Sequence, residues 1–343
     1  MSDQLTKDVA KKEQSQWTKE LAKFAKPDWR KSIWQMTNTI LPYLGLWALM
    51  IFLVNNHYSY WLILGIAPVA GLFLVRIFIF FHDCCHGSFF KSRKANRIVG
   101  YITGFLTFTP FDDWRFAHNV HHSNSGDLSR RGVGDVWTMT VNEYRASGFL
   151  KRLGYRLFRN PVVMFGFGPF FWFFVSMRLP NKSSGKKEIL SVLVTNLAML
   201  VIVLSLGYLI GYAHFFMILL PVLFVAGMSG IWLFYVQHQF EDTYWSENEE
   251  WTLLQSALAG SSYYKLPKVL QWFTGNIGLH HIHHLRPGIP NYNLQACINE
   301  IIALQQVEPL TIKKSLKSLW LDLWDEQTKK LVSFRSLKKA YQT

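Results

Sequence analysis

The chain has 343 residues, is half apolar and 16% aromatic, and carries a formal net charge of +14, a profile too greasy for an ordinary soluble domain. The charge is not the footprint of a nucleic-acid binder, because it avoids the apolar blocks: between residues 37 and 81 the only Lys or Arg is Arg76, and between 188 and 238 there is none. Only Cys84, Cys85 and Cys297 are present, without C-x-x-C spacing, which excludes a zinc finger and a disulfide framework.

Residues 1–36 hold eight Lys or Arg and no apolar stretch of the kind a cleavable signal peptide needs. Leu5, Val9, Trp17, Leu21 and Phe24 recur there at near-helical spacing among lysines, which predicts an amphipathic helix lying on a membrane surface. Residues 37–56 and 59–81 follow as a first pair of spans, each long enough at ~1.5 Å per residue to cross a hydrocarbon core of ~30 Å. The segment 82–187 is basic and contains two further apolar stretches, 99–111 and 161–177, one too short and the other broken by Gly166, Gly168 and Pro169. Both are expected to lie in the interface or dip partly into it. Residues 189–210 and 213–237 form a second pair of spans, and 239–343 returns to the side on which the chain began.

Two hairpins put 1–36, 82–187 and 239–343 on one side, together with all but one of the 36 basic residues. By the positive-inside rule that side is the cytoplasm, and the charge serves topology and anionic headgroups. The expected fold is all-α and polytopic, with four transmembrane helices and a cytoplasmic helical cap in one domain. Its parts are a cytoplasmic amphipathic tail (1–36), a first hairpin (37–81), a cytoplasmic and interfacial segment (82–187), a second hairpin (188–238) and a cap (239–343).

Eight of the 12 histidines, with His281 set aside, fall in three motifs. HDCCH supplies His82 and His86, HNVHH supplies His118, His121 and His122, and LHHIHH supplies His280, His283 and His284. On a helix, spacings of i, i+3 and i+4 place three side chains within an arc of about 100°, from which His281 departs by about 60°. His82 follows directly on the second span and His238 ends the fourth, so all nine can meet at one depth. Nine imidazoles exceed what one ion takes, but shared between two metals they give four or five each and leave positions open for water or oxygen. Imidazole suits several transition metals; an open, nitrogen-rich, redox-capable pair favours iron. The second ring nitrogens need acceptors, for which Asp83, Asp127, Asp135 and Asp242 are near in sequence.

With these motifs and two hydrophobic hairpins in this order, the chain resembles the integral-membrane fatty acid desaturases over nearly its whole length. It is most similar to the Bacillus-type delta-5 acyl-lipid desaturases, through RIFIFFHDCCHGSFF, RRGVGDVWTMTVNEY, WLFYVQHQFED, SSYYKLPK, TGNIGLHHIHHL and LWDEQTK. The resemblance implies a di-iron centre held by His82, His86, His118, His121, His122, His280, His283 and His284, with His238 as the additional ligand after the fourth span. These nine would be both the metal ligands and the catalytic residues. In the animal acyl-CoA branch an Asn four residues before the extra His holds an iron-bound water; here that position is Phe234, and Asn276, four residues before His280, is the candidate to supply a polar group from another direction.

The implied reaction removes two hydrogens from adjacent methylenes of a membrane-lipid acyl chain, with dioxygen as co-substrate. Trp114, Trp137, Phe170, Phe171 and Trp172 are candidates to line the acyl tunnel. The sequence has no H-P-G-G, C-x-x-C-H or G-x-G-x-x-G motif, so electrons are expected from an external ferredoxin or flavodoxin. A di-iron hydroxylase or alkane monooxygenase is the alternative on the same scaffold. A metal permease is a distant second, since 37–81 and 189–238 contain no Asp or Glu to line a path. His57 and His214 lie toward the opposite side and have no expected metal role.

Overall fold

The computed structural model describes Trp17, residues 19–247 and residues 249–339. Four helices dominate: α1 (Trp29–Asn55), α2 (Tyr60–His86), then, after four shorter helices described below, α7 (Lys186–Ile210) and α8 (Tyr212–His238), each long and apolar enough to cross a membrane. They overrun the apolar blocks. α1 begins before residue 37, at an Asp28 cap whose carboxylate accepts the Arg30 N–H (2.8 Å), and α2 continues beyond residue 81 to His86. Hydropathy marks only the hydrocarbon-buried turns; intrahelical hydrogen bonds carry the helix on into polar residues. Gly87 stops α2 immediately after His86, taking φ +68°, and its N–H bonds back to the carbonyls of Asp83 and Cys84.

α2 and α8 are the inner pair, with half and one third of their most apolar windows buried, against 22% for α1 and α7. Met50, Ile63, Ala67, Ile77, Phe215, Ile218 and Val222 pack between them. The outer faces, such as Leu193, Leu197, Leu200 and Leu204 on α7, remain exposed, and in a bilayer that exposure is not penalised. Arg76, the one cation within the apolar blocks 37–81 and 189–238, is buried; its Nε donates to Thr39 Oγ1 (3.0 Å) and its guanidinium lies 4.0 Å over the Trp272 ring.

The segment between the hairpins holds α3 (Arg93–Leu106), α4 (Phe111–Asn124), α5 (Phe149–Arg159) and α6 (Gly168–Phe174). α3 buries Asn96, Gly100, Thr103 and Gly104 and exposes Ile98 and Ile102. α5 exposes Phe149, Leu150, Leu153 and Leu157. After α5, Pro161 and the Asn160 side chain, which accepts the Val162 N–H (2.9 Å), turn the chain by 65° into a π-helical segment (Val162–Phe167) and α6. α5 and Val162–Arg178 together pass the length and apolarity test for a span, so the count is four, or five if this bent pair crosses.

The N-terminal expectation is corrected in part. Leu21 and Phe24 are buried against Ile282, Ile289, Leu294 and Ile298 in the C-terminal part of the chain, instead of facing lipid; Leu5 and Val9 lie outside the described residues. The all-α expectation holds for the bulk of the chain, to which two small two-stranded sheets are added. β1 (Tyr263–Lys265) pairs parallel with β2 (Pro309–Thr311), and β3 (Leu323–Asp325) pairs antiparallel with β4 (Lys330–Val332). Three short helices complete the frame of the site: α9 (Lys268–Phe273), α10 (His280–Leu285) and α11 (Asn291–Glu300).

Buried Arg159 ties three parts of this frame. It donates to Tyr235 Oη and Gln239 Oε1, both at 3.1 Å, and to the Leu321 carbonyl, while Gln239 Nε2 donates to Thr138 Oγ1 (3.2 Å). α5, the end of α8 and the residues leading into β3 are thereby locked together next to His238.

Candidate metal centre

All nine histidines converge where α2, α4, α8 and α10 meet. They form two sets rather than one: His82, His86, His118, His122 and His283, and His121, His238, His280 and His284, with the chosen ring nitrogens of each set within 4.8 Å of one another. The division follows helix geometry. Pairs at i, i+4 (82/86, 118/122, 280/284) stay together, because they differ by only about 40° around the axis. The i+3 residues, His121 and His283, stand about 100° from the following i+4 partner and enter the other set. The expectation that the three histidines of one motif face a single centre is therefore corrected: the second and third motifs each straddle both sets. The sets adjoin, the rings of His122 and His284 stacking at 4.2 Å between centroids. His281 is fully buried but outside both sets, against the Tyr263 ring (5.5 Å).

Hydrogen bonds fix which nitrogen faces inward. His121 Nδ1 meets Asp135 Oδ1 at 2.6 Å, His82 Nδ1 meets Asp83 Oδ1 at 3.3 Å, and His238 Nδ1 meets the Gly260 carbonyl at 3.1 Å. Asp83 is itself held by the backbone and side-chain N–H groups of Asn291, at 2.7 and 2.8 Å. A neutral imidazole that donates from Nδ1 has only a lone pair at Nε2. Yet His238 Nε2 lies 3.0 Å from the Nε2 of His121, which also donates outward, and 3.0 Å from that of His280. Two lone pairs at that distance repel unless a cation sits between them, so the residues present fit a bound metal. For metal–nitrogen bonds of ~2.1 Å, neighbouring ligands are about 3.0 Å apart at right angles and about 3.4 Å apart in a tetrahedron. The spacings of 3.0 to 3.1 Å along 118/122/283 and 121/238/280/284 fall close to this range.

Burial, reinforced by neighbouring imidazoles, pushes His118, His122, His280, His283 and His284 well below the usual histidine range. They are neutral at physiological pH, the state in which imidazole ligates. Of the four carboxylates near in sequence, Asp83 and Asp135 support histidines. Asp127 instead pairs with Arg130 (3.0 Å) and accepts from Ser129, and Asp242 is exposed, paired with Lys330. Gly134 explains how Asp135 reaches its histidine. It has φ +78°, and a Cβ there would lie 2.6 Å from the Ala117 carbonyl, so only glycine lets this loop press against α4.

On the membrane side the sets are roofed by aromatic rings one helical turn away. Phe78, four residues before His82, packs on Trp114 (5.4 Å), which stacks on His118 (4.2 Å). Phe234, four residues before His238, packs on His121 (5.2 Å) and His238 (5.6 Å). Of the five aromatics expected along a tunnel, only Trp114 touches the sets. Trp137 packs on Tyr155 and Phe158, Phe170 on Phe224, and Phe171 and Trp172 are exposed. Asn276 is not directed at either set; its Nδ2 donates to the Asn291 carbonyl (3.5 Å). His214 bonds Asn55 at the far end of the spans. Asn291 and the Gly260 carbonyl were not visible as site groups in the sequence: one acts through another residue, the other is backbone.

Comparison with known proteins supplies the remaining findings. A family model described as "Fatty acid desaturase" matches residues 59–305. A fatty acid desaturase of Bacillus subtilis is 44% identical over 335 residues, covering 98% of this chain and 91% of that protein. An sn-1 acyl-lipid omega-3 desaturase (ferredoxin) of Nostoc is 28% identical over 286 residues, 80% of this chain and 77% of that protein. An sn-1 oleoyl-lipid 12-desaturase of Synechocystis is 29% identical over 232 residues, 66% of this chain and 64% of that protein.

Proposed function

The chain belongs to the fatty acid desaturase family, and we propose that it is an acyl-lipid desaturase of the cell membrane that introduces a cis double bond, at the delta-5 position, into saturated acyl chains. The observation that carries the reading is the pair of adjacent, buried histidine sets whose inward lone pairs suit bound cations. The nine histidines are proposed as the ligands of two irons, His82, His86, His118, His122 and His283 for one and His121, His238, His280 and His284 for the other. When bound, the iron pair supplies the oxidising power, with dioxygen and two electrons, to break unactivated C–H bonds that no amino-acid acid or base can attack.

The protein's own groups do the rest. Asp83, Asp135 and the Gly260 carbonyl take the outward ring N–H groups of His82, His121 and His238 and hold their inward nitrogens as lone pairs. Phe78, Trp114 and Phe234 put apolar surface on the membrane side, where a methylene chain can lie and water is unwelcome. In this reading the sets face the cytoplasm, on the side that carries the basic residues, and a separate ferredoxin or flavodoxin delivers electrons there. A ferredoxin is named for the Nostoc relative.

The test is expression in a desaturase-free host, followed by mass spectrometry that locates any new double bond in intact phospholipids. A loss of two hydrogens at C5–C6 supports the whole reading. A double bond elsewhere corrects the regiochemistry alone, an added hydroxyl mass favours the hydroxylase, and an unchanged lipid profile with iron and reductant present overturns the assignment.

A further inference from the structure

A cavity of about 550 Å³ opens beside His86 and is lined by Arg93, Arg97 and Arg115 together with Cys84, Cys85 and Asn96. Its arginines are positioned by local structure. Buried Asn96 accepts the Phe90 N–H (3.0 Å) and donates to the carbonyls of Phe90 and Ser92 (2.6 and 3.0 Å), which folds the loop after His86 and brings α3 in with Arg93 and Arg97 one turn apart. Arg115 arrives from α4, three residues before His118. The cavity's positive charge is not internally cancelled. Arg97 pairs with Asp112 (3.2 Å), but Asp112 is already met by Lys187 (2.9 Å), and among the described residues Arg93 and Arg115 have no carboxylate partner. Beyond Arg97, α3 turns Ile98 and Ile102 outward as exposed apolar side chains, so the cavity lies where a charged rim meets a lipid-facing one.

We propose that this cavity binds the phosphodiester of the phospholipid whose acyl chain is acted on. Arginine suits this task because its planar fork bonds phosphate oxygens in pairs. A phosphate seated beside His86 would tether the head of the lipid near the five-histidine set and fix how far along the chain the reacting carbons fall. The inference rests on the acyl-lipid reading above.

The test uses the full chain in nanodiscs, with retained lipid counted by native mass spectrometry, a readout that needs no turnover. Wild type should retain phosphatidylglycerol in preference to a phosphate-free diacyl galactolipid. The double variant Arg93→Gln/Arg115→Gln should lose about tenfold of that preference, whereas Arg93→Lys/Arg115→Lys, which keeps the charge, should lose less. Equal preference in wild type and the glutamine variant overturns the proposal, as does equal loss of both lipids. Displacement of phosphatidylglycerol by millimolar inorganic phosphate assigns the cavity to the free anion and also overturns it. A turnover defect that excess reduced carrier repairs, with lipid preference intact, assigns the arginines to the electron donor and overturns it. Retention of phosphatidylglycerol as expected, with no double bond formed in any lipid, would count against the desaturase reading and leave the phosphate site standing.

Discussion

Asp135→Asn isolates one set of histidines from the other. Asp135 is nearly buried and accepts from His121 Nδ1 at 2.6 Å, while its other oxygen takes the Gly132 N–H at 3.2 Å. The amide keeps the size and the glycine contact but removes the charge. A hydrogen bond to an ionised acceptor contributes ~1.5–3 kcal/mol, and at ~1.4 kcal/mol per decade this is about a 10- to 100-fold loss in metal affinity. That agrees with the usual cost of removing such a partner. The purified variant is dialysed against graded chelator and metal per chain is measured by mass spectrometry. One of two ions should leave at 10- to 100-fold lower chelator activity, while the other follows wild type, because none of the five histidines of the first set touches Asp135. Asp242→Asn, at the exposed carboxylate paired with Lys330, should match wild type. If both ions of Asp135→Asn leave at the wild-type chelator level, the role given to this carboxylate is wrong.

His281→Phe should keep both ions and His280→Ala should lose one, read by the same metal analysis, since only the latter belongs to a set. Gly134→Ala forces a side chain into a left-handed turn and against the Ala117 carbonyl; it should cost more than about 2 kcal/mol, seen as a lowered unfolding midpoint in detergent together with weaker metal retention. For the metal-free chain, His118, His122, His280, His283 and His284 titrate well below their unfolded value. The unfolded chain therefore binds more protons below a pH of about 6.5. Thermal stability should be flat above that pH and fall steadily beneath it; a stability that rises on acidification would contradict the burial of these rings as neutral groups.

The histidine spacing made the site legible because helices α2, α4 and α10 preserve it: i, i+3 and i+4 are enough to find eight of the nine, and His238 is found by its place at the end of the fourth span. Treating each motif as one arc hid the allocation, since the 100° between His121 and His122 separates two ions as readily as it spans one. Proximity in sequence could not rank the four aspartates. Asp135 succeeds through a left-handed turn at Gly134, while Asp127, nine residues after His118, is diverted to Arg130. Asn291 reaches Asp83 across 208 positions, a distance over which no local pattern persists. Leu21 and Phe24 show the same limit from the apolar side. Their spacing announces a helix with one greasy face, and a greasy face fits Leu294 as well as it fits a lipid tail.

Each histidine set draws on segments separated by most of the molecule, from His82 to His283 in one case and from His121 to His284 in the other. No ribosome-bound intermediate shorter than 283 residues can complete either. If the sets hold metal as proposed, its uptake is the last stitch of assembly, riveting the second and fourth spans to parts of the chain made long after the first hairpin. A chain deprived of that metal would stay threaded but unriveted.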